Sequence, residues 1–388
     1  MMRILLVVPE YEPISTGGGP VYYQALKQSY DAAGHQTHVL SGSPTSRIVG
    51  PRPDVTYFPL VPSAWTKRLH VKMPDVRSYM PPRPLSLSNL MSALDEPYDV
   101  YHLFGYGFTM VDLVARYLWA RRKRFGFTVM GAPYSPSEMG GAIKAIYGTY
   151  EALCGTPTLR LATRIHAISH FAGANESFAA FRDKIDVIHL GTSTTRTPER
   201  LPENPPPLPF VLSIGRVQWS KGFQIAIDAI AALERSGDGI DYVILGPDAN
   251  YRAYLEGYAA ARGVARRVRF VGTVDEAEKE WYIERASLFL IPSLFEPFGL
   301  VSLEAMIRGK IVIASATGGL AETINDGRDG FLVPPSDPQA LATAIRARLG
   351  PDYTAVASEA RAHGERRSWK RVANDHLTWY HDRSLINK

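Results

Sequence analysis

Two glutamates, Glu296 and Glu304, close the run Glu296-Pro297-Phe298-Gly299-Leu300-Val301-Ser302-Leu303-Glu304. A strand-like apolar stretch and the short loop Pro292 to Phe295 lead into it. The spacing predicts Glu296 at a helix entrance and Glu304 about two turns inside, on one side of the helix at 3.6 residues per turn. Carboxylates held there can accept hydroxyl hydrogen bonds, as from a sugar and a ribose. Gly299 lets backbone come close to a ligand. The plain alternative is an acidic first turn that complements the helix dipole. It leaves Pro-Phe-Gly and an inward Glu304 without a reason. A second cluster, Gly215-Arg216-Val217-Gln218-Trp219-Ser220-Lys221-Gly222, follows a strand and carries two cations just before a helix. Fixed positive charge beside free backbone N–H groups is an anion site, suited to a diphosphate. Taken alone it is only moderately specific, because basic residues at such turns are often merely solvated. Gly318-Gly319-Leu320-Ala321-Glu322 is a third piece, placed where backbone amides can meet a phosphate or a sugar hydroxyl.

These clusters need a scaffold that presents strand ends. The chain reads as strand, loop, helix, strand from Ile4 to Leu40, with Gly17-Gly18-Gly19 in the loop and a helix from about Val21. Further strands are expected at 55–58, 100–103, 126–130, 165–167 and 185–188, and loops through the Pro-rich stretch 61–84. After the Pro-rich segment Leu201 to Pro209 the alternation restarts. Strands are expected at 210–214, 242–245, 268–271, 288–291, 311–314 and 330–333, with helices at 223–234, 251–261 and 301–308. This is βαβ logic. The expected fold is α/β, with two Rossmann-like doubly wound domains facing a cleft. The expected boundaries are 1–200, a linker at 201–209, 210–367, and a terminal helix over about 368–388 that returns to the first domain. Ligands in such sheets bind beyond the carboxyl ends of the strands, so the cleft is the default site.

Bulk properties agree. The 388 residues exceed what one core ordinarily serves, and 45% apolar with 21% charged residues is ordinary for a globular chain. The net charge of +5 suits anionic ligands or an anionic membrane surface and is too small to argue for nucleic acid. The basic run Arg121-Arg122-Lys123-Arg124 is better read as cations at a helix C-terminus than as a headgroup patch. One cysteine, Cys154, allows no internal disulfide, which fits a reducing cytoplasm. The apolar run Ile4 to Val8 is too short for a signal core or a membrane span, so any membrane contact is expected to be peripheral, at the inner face. The Gly17 loop lacks G-x-G-x-x-G, which argues against hydride transfer.

Taken together, Arg216-x-x-x-x-Lys221-Gly222, Glu296-Pro-Phe-Gly-Leu-x-x-x-Glu304-Ala305, Gly309-Lys310-x-Val312-Ile313-Ala314 and Gly318-Gly319-x-x-Glu322 resemble the retaining GT-B glycosyltransferases of family 4, the group 1 glycosyl transferases. The likeness covers most of the C-terminal half and is looser at Ile4 to Gly19, Tyr98 to His102 and Trp369 to Tyr380. The resemblance implies a metal-independent hexosyltransferase whose donor is a nucleoside-diphosphate sugar and which needs no cofactor. It implies that Arg216 and Lys221 neutralise the leaving diphosphate and that Glu296 binds donor sugar hydroxyls. Phe298, Gly299 and Leu300 would lie beside the sugar, Glu304 on the ribose, and Gly215 and Gly272 to Val274 around the nucleotide. Gly17, Gly18 and Gly19 would approach phosphates or acceptor. The acceptor would be a glycan, a lipid-linked sugar or a small molecule, and no nucleic acid is implied. Asp-x-Asp is absent from the sequence, and Lys and Arg would replace a metal's electrostatic role.

Two positions depart from the family pattern. Met130-Gly131 stands where the family usually has His-Gly, and Gly191-Thr192-Ser193 where it has Gly-x-Asp. The donor half therefore reads as complete and the acceptor half as atypical. His102, expected at a strand end facing the cleft, is a candidate for the acceptor site, though such a histidine is more often just a satisfied strand terminus. Tyr134, with Ser135, Ser137 and Glu138, is a second loop candidate. His166, His170 and His189 show no recognisable ligand spacing. The competing readings are a nucleotide-sugar-binding protein with weak or no transfer, and a nucleotide-sugar epimerase.

Overall fold

The computed structural model describes residues 1–11, 17–44, 52–61, 83–84, 94–131, 141–195, 197–350 and 352–387. They form two compact units, Met1–Leu190 with Trp369–Lys388, and Gly191–Ser368.

The first unit is built on a sheet of β1 (Arg3–Val8), β2 (Gln36–Pro44), β3 (Val55–Val61), β4 (Arg83–Pro84), β5 (Val100–Phe104), β6 (Gly126–Val129), β7 (Arg164–Ala167) and β8 (Ile185–Val187). The order is β4-β3-β2-β1-β5-β6-β7-β8. All described pairings are parallel except the two-residue β3–β4 contact, which gives a short edge strand where a loop was expected. Strand β1 is apolar from Ile4 to Val8 and fully buried, as a strand covered on both faces must be. It pairs with β2 on one side and β5 on the other, so the chain changes direction across the sheet at its carboxyl end.

Helix α1 (Gly18–Ala32) covers this sheet with Tyr22, Tyr23, Leu26 and Tyr30 buried, a stripe of helical period. It starts three residues before the expected Val21, so Gly18 and Gly19 are its first turn. The C-terminal helix Trp369–Asp382 lies against α1 through Val372, Ala373, His376, Trp379 and Tyr380. Close approach requires Gly126 on β6, since a Cβ there would sit 2.6 Å from the Trp379 ring. Asp186 receives hydrogen bonds from Trp379 Nε1 at 2.8 Å and from Arg383 at 2.7 Å. The basic run ends in this packing. Arg124 Nη1 donates to the Ser384 carbonyl at 3.1 Å, and Arg121 caps the helix Thr109–Ala120.

The second unit holds β9 (Phe210–Ile214), β10 (Asp241–Leu245), β11 (Val268–Gly272), β12 (Leu288–Ile291), β13 (Val312–Ser315) and β14 (Phe331–Val333) in the order β11-β10-β9-β12-β13-β14, all parallel. Here too the first strand, β9, is central, and the order reverses between it and β12. That switch point is where an open α/β sheet leaves a crevice for ligand.

The expected linker 201–209 needs correction. The chain passes between units at Leu190–Gly191 and at Ser368–Trp369, and 191–209 belongs to the second unit. Hydrogen bonds hold it there. Thr192 N donates to Arg367 O at 2.7 Å, Arg200 N to Ala277 O at 3.0 Å, and Arg269 Nη1 to Asn204 O at 3.0 Å. Arg200 also pairs with Asp275 and Arg285 with Glu199. Proline stiffness signalled a linker, but these ties make the segment a surface strap. Among the described residues no helix is long and apolar enough to cross a membrane.

Candidate functional site

The switch point of the second sheet brings the three sequence clusters together. Strand β9 ends in Gly215, whose N–H donates to Leu245 O at 2.9 Å. The turn Trp219–Lys221 follows, and Gly222 takes the left-handed conformation at φ 67°. Its Cα lies against β12's exit, so a Cβ would fall 1.8 Å from the Pro292 carbonyl oxygen. On the same seam the N–H groups of Leu294 and Phe295 both donate to Ser220 O, at 2.9 and 3.3 Å. Two loops distant in sequence are thereby stitched together, and their side chains meet. Lys221 Nζ lies 2.6 Å from Glu296 Oε2, and Ser293 Oγ donates to the same oxygen at 3.4 Å. Glu296 is 8% exposed, so its charge needs this cation. Arg216 is exposed and has no acidic partner among the described residues.

The Gly318-Gly319 loop leaving β13 closes the other flank. Gly319 N donates to Glu296 O at 2.9 Å, and a Cβ on Gly319 would lie 2.4 Å from Pro297 O. Thr323 Oγ1 donates to Gly319 O at 2.8 Å and approaches Phe298 O at 3.3 Å. Phe298 is buried beneath. Gly299, at φ 87°, leads into the helix Leu300–Met306. That left-handed residue corrects the expected geometry of the two glutamates. Glu296 stands before the helix, so the two do not share a helical face. The backbone reversal at Gly299, which helical periodicity does not anticipate, sets their relation instead.

Glu304 is fixed from another direction. Gly272, at φ 91° with open space where a Cβ would be, ends β11, and half-buried Val274 leads to the helix Glu276–Arg285. Asp275 caps that helix, accepting from Glu278 N at 3.0 Å. The helix places Lys279 Nζ 3.7 Å from Glu304 Oε2 and 2.7 Å from Glu276 Oε2. The neighbouring Glu280 takes a buried, forked contact from Arg308, with the shortest distance 2.7 Å. Arg308 Nη1 donates in turn to the Glu304 carbonyl at 3.2 Å. Lys279 stays protonated at neutral pH. Burial works against its charge, but Glu304 and Glu276 outweigh it and leave its pKa raised.

Sequence reading missed Lys279, the Glu280–Arg308 pair and Ser293. It also missed Gly246, at φ 133°, whose Cβ would collide with the Gly215 carbonyl oxygen at 2.1 Å. Only Gly246 left a signal, a glycine closing a strand. Pairs spaced 28 residues apart leave none.

In the first unit, Gly17 is the extended residue before α1, and Gly18 and Gly19 begin it without a side-chain cap. Backbone N–H groups of that first turn lack intrahelical acceptors, which suits an anionic group. Met130 lies beside them. A Cβ on Gly19 would be 3.6 Å from Met130 Cε, and Tyr23 Oη donates to Met130 Sδ at 3.4 Å. The atypical methionine thus borders the glycine turn.

His102 is corrected as an acceptor candidate. It is fully buried, with Nδ1 2.7 Å from Tyr380 Oη and Nε2 2.6 Å from Thr128 Oγ1. The ring nitrogens of His102, His166 and His376 come within 4.8 Å of one another, a grouping that sequence spacing did not suggest. Protein partners occupy both nitrogens of His102 and of His166. Tyr134, with Ser135, Ser137 and Glu138, lies outside the described residues.

Comparison with known proteins agrees with this geometry. Residues 196–353 match the model of the family described as Glycosyl transferases group 1. Glycogen synthase of Mycobacterium tuberculosis is 28% identical over 412 residues, covering 96% of this chain and 92% of that protein. D-inositol 3-phosphate glycosyltransferase 2 of Catenulispora acidiphila is 34% identical over 180 residues, 44% of this chain and 42% of that one. The crystal structure of Anabaena HepE in complex with UDP superposes with a TM-score of 0.72 at 20% identity, covering 98% of this chain and 100% of that one. The two parallel α/β units are therefore Rossmann-like domains of the GT-B class. Residues 196–353 thus form a segment that resembles the group 1 glycosyl transferases.

Proposed function

We propose that this protein is a retaining glycosyltransferase that moves a sugar from a nucleoside-diphosphate sugar to an acceptor hydroxyl without a metal ion. The observation that carries the reading is the 2.6 Å contact of Lys221 with Glu296 at the sheet's switch point, joining residues 75 positions apart. In this reading Lys221 and exposed Arg216 face the diphosphate and offset the charge that grows as it leaves. Fixed cations serve that role because they need no reorganisation during reaction. The Lys221 ammonium has three donors, so it can hold a phosphate oxygen and Glu296 together. Glu296 then accepts from donor sugar hydroxyls, and its lone pairs are oriented before the donor arrives. Glu304 accepts from the ribose, with Gly272 to Val274 beside the base. HepE, which has this fold, was crystallised with UDP, and that supports a nucleotide in such a domain. The acceptor would be a glycan, a lipid-linked sugar or a small molecule, met in the cytoplasm or at the inner membrane face. Weak transfer with donor binding kept is the second reading, and Met130 beside Gly19 is the observation that favours it.

The test is incubation with labelled UDP-, GDP-, ADP- and dTDP-sugars, with and without EDTA. Release or transfer of the sugar with retained anomeric configuration is expected, at a rate that EDTA leaves unchanged. Inverted product would overturn retention. Activity abolished by EDTA and restored by Mn²⁺ would overturn metal independence. An epimerised donor, or binding alone, would replace the transferase reading.

A further inference from the structure

We propose that Lys279 is a positioning residue of the nucleotide site, and that with Glu304 it makes this protein select a ribonucleoside diphosphate over its 2′-deoxy counterpart. The inference rests on the donor-site reading above and concerns a residue outside every motif that carries that reading.

The helix Glu276–Arg285 is joined to the helix Leu300–Met306 and the turn after it by two charge contacts of opposite sense. One places Glu280 against Arg308, with side chains 4% and 9% exposed, and Arg308 reaches the Glu304 carbonyl. This contact fixes the Glu304 backbone. The other places Lys279 near the Glu304 carboxylate at 3.7 Å. That distance is beyond a formed hydrogen bond. Lys279's shorter contacts go to both carboxylate oxygens of Glu276, at 2.7 and 2.9 Å. Among the described residues the Glu304 carboxylate accepts no hydrogen bond, although its side chain is only 22% exposed. Its carboxylate oxygens are thus uncommitted to protein donors and aimed by a cation that does not use them.

A purely structural role explains this poorly. The buried Glu280–Arg308 fork already ties the helices, and Glu276, 72% exposed, already neutralises Lys279 as a neighbour on the same helix. What the Lys279–Glu304 contact adds is a constraint on one carboxylate that has nothing of the protein to bind. Its complement is a ligand with two adjacent hydroxyls, such as the 2′ and 3′ groups of a ribose. Removing one hydroxyl leaves a partly buried acceptor unpaired, and sites built on hydrogen bonding discriminate strongly against such analogues.

The probes are UDP, GDP and ADP and their 2′-deoxy forms, measured by calorimetric titration on the full chain. Wild type should prefer the ribose form of its nucleotide by about tenfold or more, near 1.4 kcal/mol per tenfold. Lys279→Met should weaken the ribose form severalfold and leave the 2′-deoxy form within about twofold, so the ratio collapses. Lys279→Arg should restore most of it. With donor sugar, Lys279→Met should raise KM with kcat little changed, since the ribose does not react. Lys279→Met combined with Glu304→Gln should be no worse than Glu304→Gln alone, the signature of two residues acting as one. Should Lys279→Met not fold, Lys279→Gln carries the same readouts. An unchanged ratio, or equal loss of both forms, overturns the proposal. Lys221→Ala separates its failure from that of the site itself. If Lys221→Ala abolishes binding while Lys279→Met leaves the ratio intact, the site stands and the role of Lys279 falls. If wild type binds none of the six nucleotides, both fall.

Discussion

The C-terminal helix should loosen against its unit as pH falls, because beside its apolar packing and its Asp186 contacts it closes a directed chain of hydrogen bonds through buried histidines. His166 Nε2 lies 2.7 Å from the Ile188 carbonyl, which can only accept, so that nitrogen carries a proton. His166 Nδ1 must then accept, and Thr128 donates to it at 2.9 Å. Thr128 in turn accepts from His102 Nε2 at 2.6 Å, which leaves His102 Nδ1 to accept from Tyr380 Oη at 2.7 Å. Tyr380 accepts from Tyr30 at 2.9 Å. Every donor is used, so neither histidine can take a second proton without breaking the chain. His376, also buried, lies 2.8 Å from Tyr22 Oη, and its Nδ1 has no hydrogen-bond partner among the described residues. The groups facing the cluster are Tyr22, Tyr30, Thr128, Tyr380, and Asp186 and His189 near His166.

Burial lowers the pKa of all three histidines, that of His166 to about 4. An unfolded histidine titrates near 6.5, so between about 6.5 and 4 the open segment binds more protons than the closed one. Stability is therefore unaffected above about pH 6.5 and is lost as pH falls through that window. His166 alone accounts for roughly 2 kcal/mol between pH 7 and pH 5 on the order of 1.4 kcal/mol per unit. His102 and His376 act in the same direction. Tyr380→Phe tests the chain at neutral pH. It strands the Tyr30 hydroxyl and the His102 Nδ1 acceptor, at about 1–3 kcal/mol each. The assay is amide hydrogen exchange followed by mass spectrometry, reading peptides from 369–382 against peptides from the helix Phe223–Arg235 as an internal reference. That comparison corrects for the intrinsic pH dependence of exchange and does not assume that two units unfold as one. Protection of 369–382 should fall selectively at pH 5, and in Tyr380→Phe at pH 7. Equal behaviour of the two peptides, or a Tyr380→Phe variant within about 0.5 kcal/mol of wild type, would refute the directed chain.

Three further outcomes follow from the proposed donor site. Lys221→Ala should slow turnover about tenfold to a hundredfold or more, from loss of a charge-assisted bond of roughly 1.5–3 kcal/mol that strengthens as phosphate leaves; a fast variant would place the diphosphate elsewhere. Glu296→Gln should mainly lower kcat, whereas Glu304→Gln should weaken nucleoside diphosphate binding, and steady-state kinetics beside titration would reveal the reverse if the donor lies the other way round. Gly222→Ala should destabilise the second unit by about 2 kcal/mol or more in urea unfolding and cut activity as well. Its left-handed φ of 67° and the Pro292 carbonyl at 1.8 Å leave no room for a Cβ. A stable, active variant would show that the two strand ends are not pressed together there.

The sequence by itself determined which residues gather at the strand ends of the second unit, where the proposed donor site lies, and on which strands they hang. Short apolar runs between helical patterns mark buried parallel strands whatever their neighbours are, so β9 and β12 were legible one at a time. Arg216, Lys221, Glu296 and the Gly318-Gly319 pair were legible as ends of such strands, where backbone amides and charge gather. The order of the strands was not, because periodicity is a local property and pairing is not. Only the tertiary structure made β9 and β12 neighbours, and with that set Lys221 against Glu296. Gly299 likewise looked like part of a helix entrance until its positive φ separated the two glutamates. The sharpest divergence lies in the first unit. His102 was an acceptor candidate at a strand end, and a helix more than 250 residues later placed it in the core. Trp379 and Tyr380 close over it because Gly126 leaves the space. Prolines announced a linker at 201–209, but hydrogen bonds from Arg200 and to Asn204 bind it to the second unit. In each case the deciding contact joins residues far apart in the chain, and burial chooses such contacts only when the whole core packs.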